Sequence, residues 1–121
     1  MSKTPALNYR EYINEAAILG IVESDPYQVK TKKGADVANF VVLVKDPVQN
    51  RTHRHHVSAF GAMHELVMNE IKQGAEVFIK GHMQTYDYED ARGKTMTTTT
   101  ISIVARGHCK LVILDHGGEG E

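Results

Sequence analysis

The chain has 121 residues, enough for one domain with its own core and too few for two ordinary ones. Apolar residues make up 41% and charged residues 24%, the balance of a soluble globular domain, and no stretch approaches the ~20 apolar residues that span a bilayer. The 14 Lys and Arg against 15 Asp and Glu leave a net charge of −1, so the basic excess that commonly marks a nucleic-acid binder is missing.

In chain order, residues 1–13 read as a loosely ordered leader, and the polar stretch Met1 to Tyr12 lacks the apolar run of a signal peptide. A first strand is predicted from Ala16 to Val22, broken by Ser24-Asp25-Pro26, and Lys32-Lys33-Gly34 marks the tip of a loop or hairpin. The second strand, Val37 to Lys45, is apolar at both parities and is expected to be covered on both faces. A third follows over Thr52 to Phe60. Met63, Leu66, Val67 and Ile71 recur at helical spacing within Ala62–Lys72, and Gly74 stands where that helix would stop.

The fourth strand, Glu76 to Tyr88, alternates. Val77, Ile79, Gly81 and Met83 face one way, and Phe78, Lys80, His82, Gln84, Tyr86 and Tyr88 the other. The turn Asp90–Lys94 leads to a fifth strand, Thr95 to Ala105, whose threonine run favours extended backbone. A last short strand, Cys109 to Leu114, closes an edge or pairs with a neighbour, and residues 115–121 read as a flexible tail. An all-β domain over 14–114, with five main strands and one helix between the third and fourth, has the order of a five-stranded OB-fold Greek-key barrel.

Three segments carry a family resemblance: Val37-Ala38-Asn39-Phe40, Thr52 through Gly61, and Gly74-Ala75-Glu76-Val77-Phe78-Ile79-Lys80-Gly81 followed by Thr85 and the Asp90–Gly93 turn. Together, from about Asn14 to Val112, they resemble bacterial and phage single-stranded-DNA-binding proteins. The resemblance implies sequence-nonspecific binding of single-stranded DNA in replication, recombination or repair. It also implies a homo-oligomer, commonly a tetramer, with a dimer as the alternative. It makes Phe60 a base-stacking residue and puts Tyr88 and Arg54 where the family has stacking tryptophans. It places His55 beside a subunit interface. The region of a third stacking tryptophan falls near Val48, in a shorter loop. The chain has no tryptophan and no acidic tail ending in proline-phenylalanine, so tail-mediated recruitment is not expected; these departures suit a phage, plasmid or accessory protein.

Single-strand binding without sequence choice requires flat side chains to stack on bases and cations to follow phosphates. Parity puts Arg54, His56 and Phe60 on one face of the third strand and Lys80, His82, Tyr86 and Tyr88 on one face of the fourth. Lys30, Lys32 and Lys33 on the early loop, with Arg92 and Lys94 on the late turn, are candidate phosphate clamps. Bland readings stand beside these: Phe60 at a strand end fits a core, Phe78 is a packing residue, and Asp87 and Glu89 beside the tyrosines repel phosphate. Arg54 can stack as well as pair with phosphate.

His53, His55 and His56 do not converge in an alternating strand, so no metal site is expected. The lone Cys109 reads as a buried thiol in a reducing cytoplasm. No nucleophile elbow or phosphate-cradling loop is present, so neither catalysis nor a cofactor is expected. Two alternatives remain: a primosomal accessory OB protein, and an OB protein-interaction module with weak DNA binding.

Overall fold

The computed structural model describes residues 13–105 and 107–118. The leader expected over 1–13 therefore lies, except for Ile13, outside the described residues, as do 119–121 of the expected tail.

Strand β1 (Ala16–Val22) turns Ala16 and Ile18 toward the core and Ala17, Leu19 and Ile21 outward. It lies antiparallel to β5 (Glu76–Glu89) from Ala16↔Gly81 to Ile21↔Glu76, then passes to β3 (Asp36–Asp46) at Ile21↔Leu43 and Val22↔Val42. Gly20 stands at this crossing. A Cβ there would collide with the Leu43 carbonyl oxygen, so only glycine lets β1 serve both neighbours. Strand β3 pairs with β4 (Arg51–Phe60) along its whole length, β4 pairs in parallel with β6 (Thr95–Ile103), and β6 pairs antiparallel with β5. The pairings run β1-β3-β4-β6-β5 and return to β1, a closed ring of five strands. This is the OB arrangement, with α1 (Ala62–Glu70) between its third and fourth strands.

Two short strands lie outside the ring. Strand β2 (Tyr27–Lys30) forms a hairpin with β3, from Tyr27↔Asn39 to Lys30↔Asp36, where the sequence shows only a loop or hairpin tip. The last strand, β7 (Lys110–Asp115), pairs with β5 over Glu76–Lys80. It runs one residue into the expected tail. Beyond it the Lys72 amide donates to the His116 carbonyl at 3.2 Å and the Gly118 amide to that of Gln73 at 2.9 Å.

Phe40, Val42, Val57, Val77, Ile79 and Ile103 fill the ring, and Val67 and Ile71 close it from the helix side. Each such side chain contributes about 1.5–3 kcal/mol by leaving water. The helix stops at Glu70, short of the expected Lys72, because Ile71 is already extended (φ −111°, ψ 131°) and turns its side chain into the core. Gly74 (φ +88°) occupies the turn that follows. Strand β3, expected to be covered on both faces, is buried at consecutive positions only at Val37 and Ala38; from Asn39 to Leu43 part-exposed and buried residues alternate.

Candidate nucleic-acid interface

A groove of about 700 Å³ runs between the β2 hairpin, the middle of β4 and the outer length of the β5–β6 hairpin. Asn39, Val57, Ser58 and Thr100 are among its lining residues, and the Ser58 hydroxyl donates to Asn39 Oδ1 at 2.6 Å. Around them stand Tyr27 and Val29 from β2, Arg54, His56 and Phe60 from β4, and Tyr86 and Tyr88 from β5. Tyr27, Tyr86 and Tyr88 are 60%, 44% and 50% exposed. Three tyrosines left in solvent around one concavity are poorly placed for core packing and well placed to receive flat partners.

Five of the residues expected to bind DNA meet here: Arg54, His56, Phe60, Tyr86 and Tyr88. Phe60 is half-buried, lines the groove and stands apart from the cluster that fills the ring. Asp87 has the opposite parity to the tyrosines, and its carboxylate accepts from the Thr97 hydroxyl at 2.8 Å. Glu89 shares that parity.

Lys80 and His82 are not in the groove, although they share the parity of Tyr86 and Tyr88. Lys80 is six residue steps from Tyr86, roughly 20 Å of rise along a twisting strand, so equal parity does not mean a common surface. Lys80 lies between β1 and β7, with Nζ 3.6 Å from Glu15. His82 Nδ1 lies 3.7 Å from Cys109 Sγ, which is itself only part-buried. Lys32 and Lys33 occupy the β2–β3 turn just beyond Lys30, which does line the groove. Arg92 and Lys94 lie on the β5–β6 turn, past Tyr88↔Met96, where both backbone amides donate to Asp90 Oδ1. His55 has the parity of Val57 and Ala59 and sits 6.2 Å from His53, ring centre to ring centre. Phe78 is half-buried between Leu19 of β1 and Val112 of β7.

The groove's permanent cations are both engaged. Arg54 donates through Nε and Nη2 to the two carboxylate oxygens of Glu23, at 3.1 and 2.8 Å. Lys30 Nζ lies 2.7 Å from Asp36 Oδ1. The Arg54 hydrogen bond holds the Glu23 carboxyl below its usual range, and Glu23 in turn raises Arg54. The Lys30 hydrogen bond likewise lowers the Asp36 carboxyl. Among the described residues no three His, Cys, Asp or Glu side chains converge on a point that would hold a metal ion, and no helix is long and apolar enough to cross a membrane.

Sequence reasoning missed Tyr27, Val29, Asn39 and Thr98. The signal for Tyr27 was legible: Tyr27-Gln28-Val29-Lys30 is a short strand-forming run before a Lys-Lys-Gly turn.

Comparison with known proteins agrees with this geometry. Residues 13–108 match the model of the family described as "Single-strand binding protein family". The chain is 27% identical over 85 residues to the "Single-stranded DNA-binding protein 1" of Chlorobaculum tepidum, covering 64% of this chain and 52% of that protein. It is 29% identical over 119 residues to the "Single-stranded DNA-binding protein" of Rhizobium meliloti, covering 89% of this chain and 67% of that one. The chain thus spans about half of the first relative and two thirds of the second. A solved structure described as "Plasmodium falciparum SSB complex with ssDNA" superposes with a TM-score of 0.74 at 19% identity, over 87% of this chain and 97% of that one, a likeness of fold.

Proposed function

Since this chain belongs to the single-strand binding protein family, we propose that it binds single-stranded DNA, without strong sequence preference, in the groove between the β2 hairpin, β4 and the β5–β6 hairpin. The observation that carries this reading is the convergence of exposed Tyr27, Tyr86 and Tyr88 with Phe60 on one concavity. Aromatic rings stack on any unpaired base because every base has a π face, and duplex DNA hides those faces. Lys32 and Lys33 on one rim and Arg92 and Lys94 on the turn beyond Tyr88 serve phosphates that leave the groove. The work of the protein is binding, in replication, recombination or repair.

Self-association is part of the proposal. Leu19, Phe78 and Val112 lie side by side across β1, β5 and β7, and Ile21 and Leu114 extend this apolar stripe over the outside of the ring. A stripe of this kind marks an interaction surface, and a second copy of the chain is the occupant we propose, as a tetramer or a dimer. His55 is the further interface residue.

The test of function is fluorescence anisotropy with labelled oligo-dT and with a matched duplex. Tight binding of oligo-dT and weak binding of duplex are expected. Equal affinities would leave the groove without a role for its rings and favour the protein-interaction module. Light-scattering mass reads the oligomer, and Val112→Asp is expected to lower that mass.

A further inference from the structure

Arg54 lines the groove and is a residue that can either stack or pair with phosphate, yet one of its hydrogen-bonding edges is already taken. A guanidinium keeps all its N–H donors in one plane, and oxyanions are bound along the edges of that plane. Glu23 occupies the Nε–Nη2 edge with both carboxylate oxygens. A phosphate arriving at the remaining edge meets a full negative charge within a few ångströms. The two faces of the plane are a different matter. In-plane bonds leave them clear, and the Arg54 side chain is 56% exposed along the groove wall. A guanidinium face stacks on a base as a ring does.

We propose that Glu23 sets what the groove recognises: it takes up the charge of Arg54, so that Arg54 offers bases a flat face instead of offering phosphate a cation. The proposal rests on the single-strand-binding reading and deepens it. A second pair at the other end of the groove works in the same direction, because Lys30 is held by Asp36. Both permanent cations that line the concavity are matched by carboxylates, whereas its three tyrosines remain exposed. The Arg54 hydrogen bond lowers the Glu23 carboxyl and so favours its charged form. The groove therefore favours strands with bases to stack over polyanions that carry charge alone.

Face and charge are separated by variants that hold the net charge of the pair constant. Arg54→Lys keeps the charge and loses the plane. The double variant Glu23→Gln with Arg54→Tyr keeps a plane and removes both charges. Each is titrated with oligo-dT over a series of salt concentrations, after an unchanged thermal midpoint has shown it folded. Arg54→Lys is expected to bind about two- to fivefold more weakly than the parent. The double variant is expected to match the parent in affinity and in salt slope. Glu23→Gln alone, which frees Arg54 for a phosphate, is expected to steepen the log–log slope by about 0.7. Full affinity in Arg54→Lys with a weaker double variant makes Arg54 a phosphate clamp and overturns the proposal. So does a change in neither, a loss in both, or an unchanged slope in Glu23→Gln. A parent protein that binds duplex as well as oligo-dT instead overturns the functional reading, and the parent titration alone separates that failure from the others.

Discussion

His53 Nε2 lies 3.1 Å from Asp46 Oδ2 across the end of the β3–β4 hairpin, and the other oxygen of that carboxylate accepts the Val48 and Gln49 amides at 2.9 and 3.2 Å. The His53 hydrogen bond first, and the amides after it, lower Asp46 from 3.8. Glu23 is lowered from 4.5 by Arg54, and Asp36 from 3.8 by Lys30. For a carboxyl whose folded pKa is depressed, the stabilisation is complete above the unfolded value and is lost as pH falls through the folded one. The thermal midpoint should therefore hold down to about pH 4.5 and decline below it. The decline should be smaller in Asp46→Ala, measured by circular dichroism over the same pH range; equal slopes for parent and variant would show that the carboxylate contributes nothing.

Tyr27→Ala and Tyr88→Ala should each weaken oligo-dT binding by about 1–3 kcal/mol, roughly ten- to a hundredfold, with no change in thermal midpoint. Both side chains are at least half exposed, so truncation leaves no cavity. Tyr27 is the sharper case, because only its position in the folded hairpin brings it to the groove. Titration of folded variants at parent affinity would remove the stacking surface.

The salt dependence should be shallow. With Arg54 and Lys30 each held by a carboxylate, phosphate contacts fall mainly to Lys32, Lys33, Arg92 and Lys94. Three or four contacts at about −0.7 each give a log–log slope near −2 to −3. Lys80→Ala should leave that slope unchanged, since Lys80 lies between β1 and β7 beside Glu15. A flattening by about 0.7 in Lys80→Ala would extend the DNA path around the ring.

Gly81→Ala should destabilise the fold by about 1–3 kcal/mol. A Cβ there would strike the Ser102 carbonyl oxygen and come within 2.8 Å of Ile103 Cγ2, both of them in the closed ring. Chemical denaturation reads the loss directly, and a variant as stable as the parent would mean that the β5–β6 pairing yields at this point.

What the sequence by itself determined were the properties that travel with chain neighbours. The alternation Val77, Ile79, Gly81 assigned the inner face of β5, the spacing of Met63 and Val67 assigned the core-facing side of the helix, and the order of strands and helix sufficed for the OB ring. These follow from local periods of two and 3.6 residues, which burial against any core will enforce. What only the tertiary structure decided is which faces meet. Parity gave Lys80 and Tyr86 one side of β5, but about 20 Å of twisting strand puts them on different surfaces. Tyr27 joins Tyr88, 61 positions away, at the groove because β2 folds back on β3, and Glu23 reaches Arg54, 31 residues away, because β1 and β4 both pair with β3 and bring the end of β1 beside the middle of β4. Contacts of that kind are set by strand register and closure, which belong to the whole chain and to no window along it.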